Sequence, residues 1–118
     1  MKKKIKTVKK PWGKEIWFAE HKSYLGKILI INKSHRLSLQ YHKYKHETMY
    51  CVKGRCVIEA NGKKVLLAPG QSIIFSPRTV HRLSAPFNRV TLFEVSTSHP
   101  DDVFRVKDDY GRKSYKKC

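Results

Sequence analysis

Between Leu37 and His42 apolar and polar residues alternate one for one, with Leu37, Leu39 and Tyr41 set against Ser38, Gln40 and His42. Successive side chains of a β-strand point to opposite faces, so this stretch predicts a strand with one apolar face and one polar face. Gln40 and His42 are two residues apart and share the polar face. Glu47 and His81 fall in segments that also read as strands. Four potential ligands on neighbouring strands, separated by turn glycines such as Gly54 and Gly70, predict a metal held inside a small β-barrel. His supplies a neutral imidazole, Glu a carboxylate and Gln a weaker amide oxygen. Together Gln40, His42, Glu47 and His81 carry one negative charge. That suits a divalent ion and leaves one or two positions open for water or substrate. Zinc, manganese, iron and nickel all fit such a set.

The rest of the chain is punctuated in the same way. Strands are expected over Glu15 to Ala19, Lys27 to Asn32, Thr48 to Val52, Cys56 to Ala60, Lys63 to Leu67, Ser72 to Phe75, Val80 to Ser84 and Val90 to Ser96. Asn61-Gly62 is the strongest hairpin signal, because both residues tolerate positive φ. No stretch has convincing helical periodicity, although the polar tail from Pro100 onward has room for a short helical turn. About nine short strands, each close to the next, argue for a closed or nearly closed antiparallel barrel. The organisation expected is a basic N-terminal segment over 1–10, one all-β domain over 11–112 and a basic tail over 113–118.

Composition narrows the class further. The 118 residues, 40% hydrophobic and 30% charged, fit one soluble globular domain. No apolar run is long enough to cross a bilayer, and none follows the basic N-terminus, so the location expected is cytoplasmic and no membrane partner is implied. Cys51, Cys56 and Cys118 are an odd set that does not resemble a disulfide framework; buried free thiols are expected, with a Cys51–Cys56 bridge the alternative. The formal net charge of +17 must attract anions, without saying which. Much of it sits at the two ends, where solvated tails are the plain expectation.

Motif by motif, a resemblance emerges. Gln40-x-His42-x4-Glu47-x6-Gly54 resembles the first motif of the cupins, with Gln where many cupins have His. Gly70, Pro77 and His81 resemble the second, with Ser76 where proline is usual and Arg78 where glycine is usual. The chain is also similar, over roughly Pro11 to Arg112, to the cupin domain of type II phosphomannose isomerases. That similarity rests on Lys10-Pro11-Trp12-Gly13, Leu37-Ser38-Leu39-Gln40-Tyr41-His42, His46-Glu47, Val80-His81-Arg82-Leu83, Phe93-Glu94-Val95 and Asp102-x-x-Arg105-x-x-Asp108-x-Tyr110-Gly111-Arg112. Ser-Leu-Gln-x-His together with Asp-x-Tyr-Gly-Arg is a specific pair. The sequence departs from that family at Thr48-Met49-Tyr50, where an aromatic residue usually follows the glutamate directly, and in its very basic surface.

The resemblance implies a single-domain cupin, a double-stranded β-helix or jelly-roll barrel. It also implies a metal-dependent isomerase of the mannose 6-phosphate/fructose 6-phosphate type, acting on a small anionic substrate. Family members often carry a nucleotidyltransferase domain ahead of the cupin. These 118 residues have no Gly-rich nucleotide loop, so guanylyltransferase activity is not implied. Arg36, Arg78, Arg82, Arg105 and Arg112 all offer a planar fork matched to phosphate. The family analogy selects Arg105 and Arg112 for the substrate, with Tyr110 fixing the tail. The alternative is that the tail packs over the barrel, Arg105 pairing with Asp102 or Asp108. An isomerase also needs a general base, for which Glu94 is the first candidate and Glu59 the second. Trp12 and Trp17 read as core or lid packing. His46 precedes Glu47, so it faces away if Glu47 is a ligand. Cupins commonly pair through their sheets, which implies a homodimer.

Other functions compete. A cupin that binds a metal and a sugar or sugar phosphate without turnover has the same site. A dioxygenase would use two His and one carboxylate as an iron triad, but Gln40 and the tail disfavour it. A nucleic-acid-binding barrel rests on net charge alone, since no aromatic-basic strand signature is present; no specific nucleic acid is expected.

Overall fold

In a computed structural model the chain is described over residues 1–113; the rest of the basic C-terminal tail, with Lys116, Lys117 and Cys118, lies outside the described residues. Eleven strands follow in order: β1 (Lys6–Lys10), β2 (Gly13–His21), β3 (Tyr24–Ile31), β4 (Leu39–Tyr41), β5 (Glu47–Lys53), β6 (Cys56–Ala60), β7 (Lys63–Leu67), β8 (Ser72–Phe75), β9 (His81–Ser84), β10 (Val90–Ser96) and β11 (Phe104–Lys107). They form two antiparallel sheets, six-stranded in the order β1-β2-β3-β10-β5-β8 and five-stranded in the order β11-β4-β9-β6-β7. Among the described residues there is no helix long and apolar enough to cross a membrane.

Nine of these strands are those read from the alternation. The other two correct the reading of the ends. Residues 6–10 are not a solvated tail: β1 pairs with β2 from Lys6↔Trp17 to Lys10↔Gly13 and extends the sheet. Likewise, among the described residues the tail after Pro100 forms no helix. It enters β11, which pairs with β4 from Phe104↔Tyr41, the two rings stacked 5.1 Å apart.

The inner faces of the two sheets enclose the core: Trp12, Leu29, Ile31, Met49, Cys51, Ile58, Phe75, Leu83, Val90 and Leu92 are all buried. Cys51 and Cys56 are buried free thiols, and burial pushes the Cys56 thiol up to about 12. Asn61 and Gly62 both have positive φ, 52° and 78°, and close the β6–β7 hairpin as their residue types require. Gly54 has φ +81°, and a Cβ there would lie 2.2 Å from the Arg89 carbonyl oxygen, so only glycine lets the chain pass.

Inward-facing positions change character along each strand. On β3 the buried series Lys27, Leu29 and Ile31 goes from charged to apolar, and on β10 Val90, Leu92 and Glu94 do the reverse. The strand register lines up Lys6, Trp17, Lys27, Glu94 and Met49 in one row across β1, β2, β3, β10 and β5. One end of the sandwich is thus an apolar core. The other is lined with charge, and it opens into a cavity of about 250 Å³.

Candidate metal centre

Three of the four expected ligands converge. Side-chain atoms of His42, Glu47 and His81 lie within 4.8 Å of one another, and all three residues are buried. His42 follows β4, Glu47 opens β5 and His81 opens β9. Glu47 Oε2 lies 3.1 Å from His42 Nε2, and Glu47 Oε1 3.7 Å from His81 Nε2.

Both rings are held from behind. His42 Nδ1 lies 2.6 Å from the Asp102 carbonyl oxygen, and His81 Nδ1 lies 2.8 Å from that of Thr79. A carbonyl oxygen can only accept, so each Nδ1 carries a proton and each ring turns Nε2 towards Glu47, where the neutral tautomer offers a lone pair. His42 Nε2, His81 Nε2 and Glu47 Oε2 are buried and make no hydrogen bond. Two imidazole lone pairs face a carboxylate that only the Lys45 ammonium approaches, 3.4 Å from Oε2, and this donor set fits a divalent ion. Phe75 stacks on the His81 ring at 4.1 Å and fixes its plane.

Gln40 stands opposite His81 in the β4–β9 register and lines the cavity beside His42 and Glu47. Its Oε1 accepts a 2.7 Å bond from Ser38 Oγ. The amide is therefore aimed by the polar face that the alternation defines. Arg78, at the position where the second motif usually has glycine, adopts the left-handed conformation at φ 67° and donates its backbone N–H to the His42 carbonyl at 2.6 Å. The turn before His81 thus keeps a glycine-like shape with an arginine in it.

The family scan now joins this geometry: the model described as "Mannose-6-phosphate isomerase C-terminal" matches residues 1–108. The chain belongs to that family. It is 30% identical over 109 residues to the alginate biosynthesis protein AlgA of Pseudomonas aeruginosa, covering 89% of this chain and 23% of that protein. It is 28% identical over 107 residues to a mannose-1-phosphate guanylyltransferase of Sinorhizobium fredii, covering 87% and 21%. The chain thus spans less than a quarter of the length of these two relatives. Among solved structures, an RmlC-like cupin from Shewanella frigidimarina superposes with a TM-score of 0.74 over 83% of this chain and 87% of that one, at 15% identity. The fold is a cupin.

Within this family fold, two residues not named among the expected ligands or substrate contacts carry much of the site. Lys45 is buried, with Nζ 3.4 Å from Glu47 Oε2 and 3.3 Å from Glu94 Oε2. Burial pushes its ammonium down, but Glu94 and then Glu47 more than reverse this, and the group stays charged. Burial likewise pushes the Glu47 carboxyl up, and the Lys45 ammonium beside it holds it well below the usual carboxylate range. The parity that turns His46 outward from Glu47 turns Lys45 inward with it, so the signal for Lys45 was present in the sequence. Asp102 is the second. Its carboxylate accepts the backbone N–H groups of Lys43, Tyr44 and Lys45 at 2.7–3.1 Å, while its own carbonyl holds His42. No local pattern marks this role, because the partners are separated by nearly 60 residues.

The remaining candidates divide between the cavity and the outside. Glu94, Arg105 and Arg112 line the cavity, as do Trp12 and Trp17. Arg112 makes a two-pronged pair with Asp108 at 2.8 and 3.1 Å, and Arg105 Nη1 donates to the Lys113 carbonyl. Tyr110 lies away from the cavity. Its hydroxyl donates to the Arg36 carbonyl at 3.1 Å and ties the tail to the barrel. Arg36 pairs with Asp109, Arg82 is buried against the carbonyls of Leu37 and Lys107, and Glu59 lines a groove beside Arg36, so none of these three faces the cavity.

Proposed function

We propose that this cupin binds a divalent metal through His42, Glu47 and His81, with Gln40 as an additional oxygen donor, and isomerises a sugar phosphate of the mannose 6-phosphate/fructose 6-phosphate type. The observation that carries the reading is the pair of buried imidazole lone pairs facing a carboxylate beside a cavity rich in cations. The ion, zinc, manganese, iron or nickel, would supply a Lewis acid for the carbonyl and adjacent hydroxyl of the sugar.

The chain's own residues supply the rest. Interconverting an aldose and a ketose moves one proton from C2 to C1 and another from O2 to O1. Glu94 is buried in the wall of the cavity, and Lys45 holds its Oε2. In this reading its carboxylate takes the proton from C2 and returns it to C1, while Lys45 keeps the base oriented. Arg105 and Arg112 place guanidinium groups on the wall for the phosphate, and Tyr110 supports the segment that carries them. The buried free thiols suit a reducing compartment, so we place the protein in the cytoplasm.

A homodimer belongs to the same proposal. The outer face of the six-stranded sheet exposes Phe18, Tyr50, Ile74, Phe93 and Val95 at 40–70% of their surface. These neighbours carry no charge in a chain with 35 charged side chains, counting 26 Lys and Arg with 9 Asp and Glu.

The second reading, a cupin that binds the same ligand without turnover, draws on one observation. The cavity's buried carboxylates are all engaged by cations, Glu15 by Lys27 and Glu47 and Glu94 by Lys45, so no base stands free. Elemental analysis of protein purified without chelator, followed by a coupled mannose 6-phosphate isomerase assay on the same sample, separates the two. Stoichiometric metal with turnover supports the isomerase. Metal without turnover at substrate well above millimolar supports the binding protein. Undiminished metal content in both His81→Ala and Glu47→Gln overturns the site itself.

A further inference from the structure

The cavity wall away from the metal triad is built by the β1–β2 hairpin and β3. Lys6, Val8 and Lys10 occupy alternate positions of β1 and all three line the cavity, as do Glu15, Trp17 and Lys27. Six cations therefore face it, Lys6, Lys10, Lys27, Lys45, Arg105 and Arg112, against the four acids Glu15, Glu47, Glu94 and Asp101.

Three of these six cations are already matched by carboxylates. Lys27 is buried 3.5 Å from Glu15, Lys45 bridges Glu47 and Glu94, and Arg112 is spent on Asp108. Arg105 is held by the tail through the Lys113 carbonyl, and the two other cations are on β1. Lys6 lies over the Trp17 ring, its Nζ 4.0 Å from the centroid, with Lys27 Nζ 4.2 Å from the same centroid. Lys10 is half-buried and pairs with no carboxylate within ion-pair distance among the described residues. Its charge nonetheless reaches the interior. Burial pushes the Glu15 carboxyl up, and Lys27 followed by Lys10 brings it below its ordinary value. A half-buried ammonium on a cavity wall, with no carboxylate partner, is placed to receive an anion.

We propose that the hairpin forms an anion subsite, centred on Lys10 with Lys6 and Lys27 beside it, that takes the phosphate group of the sugar phosphate; the identity of the ligand rests on the reading given under Proposed function. The Glu15–Lys27 pair and the Trp17 ring keep the lysine stems upright, and the phosphate supplies the negative charge that the wall lacks. Arg112, neutralised by Asp108, then serves to hold the tail, and the sugar lies between the hairpin and the metal ligands.

The test measures binding of mannose 6-phosphate, with mannose as the uncharged control, to chelator-treated full-length protein by calorimetry. Mannose 6-phosphate should bind and mannose should not. Lys10→Met should weaken mannose 6-phosphate roughly tenfold, the loss of a charge-assisted contact, and Lys10→Arg should restore most of it. Lys63→Met, which removes the same charge from an exposed position on β7, should bind as the parent does. Equal binding by Lys10→Met and Lys63→Met would overturn the subsite, because only the general field of the protein would then be at work. Should Lys10→Met fail to fold, Lys6→Met decides with the same two outcomes. Turnover plays no part in this readout. Lys10-dependent binding by an inactive protein keeps the subsite and sinks the isomerase; an active enzyme with unchanged KM in Lys10→Met does the reverse.

Discussion

The Asp102 carboxylate accepts three backbone N–H groups from the loop that carries Lys45 between β4 and β5, and Asp102 is fully buried. Burial pushes its carboxyl up, but the bonds from Tyr44, Lys43 and Lys45 hold it below its ordinary value. A depressed carboxyl stabilises the fold above its unfolded pKa, and that contribution is lost as pH falls through the folded value. Asp102→Ala leaves those N–H groups without their acceptor and should cost about 1–3 kcal/mol, read as a lower denaturant midpoint at neutral pH. The difference from the parent should shrink below about pH 4, as the parent's own carboxylate is protonated. A constant difference from pH 7 down to pH 2 would show that the carboxylate charge is not what holds the loop. Lys45 teaches the complementary lesson. Its inward direction follows from strict alternation with Glu47, but that a lysine is tolerated there depends on Glu94, which comes from a strand 49 residues away.

At the scale of elements, the turns that present the ligands can be separated from the ligands themselves. Gly54 turns the chain from one sheet to the other at φ +81°, against the Arg89 carbonyl. Gly54→Ala should therefore destabilise by at least about 1–3 kcal/mol, with the thermal midpoint falling accordingly. Arg78 is the converse case, a left-handed arginine at φ 67°. Arg78→Gly relieves a conformational cost of about 1–2 kcal/mol, partly offset by the greater freedom of glycine in the unfolded chain. Melting at or above the parent temperature, with metal content unchanged, is the result expected. A clear loss of stability would mean that the arginine side chain, and not its backbone, maintains the turn. The hairpin Asn61-Gly62 was legible in the sequence because its geometry is local. Strand β11 was not, because Phe104–Lys107 becomes a strand only by pairing with β4 and stacking Phe104 on Tyr41.

On the molecular scale, a net charge of +17 should keep identical copies apart. The apolar patch of Phe18, Tyr50, Ile74, Phe93 and Val95 on the outer face of the six-stranded sheet is where two copies can meet with least repulsion. The full chain should sediment at about twice its 13.8 kDa mass in moderate salt, and Phe93→Lys, which introduces a charge at the centre of that face, should shift it to the monomer. A parent that sediments as a monomer at every salt concentration sinks the dimer. The cavity itself exists only at this scale, since the row Lys6–Trp17–Lys27–Glu94 draws on four strands.

The sequence alone determined the strand class, the tight turns and the type of chemistry at Gln40, His42, Glu47 and His81, because alternation and turn stereochemistry are properties of a few consecutive bonds. Tertiary structure alone decided which of the many charges face inward and which are neutralised. Ion pairing depends on distances of a few ångströms, and the chain sets these only when strands remote in sequence are laid side by side.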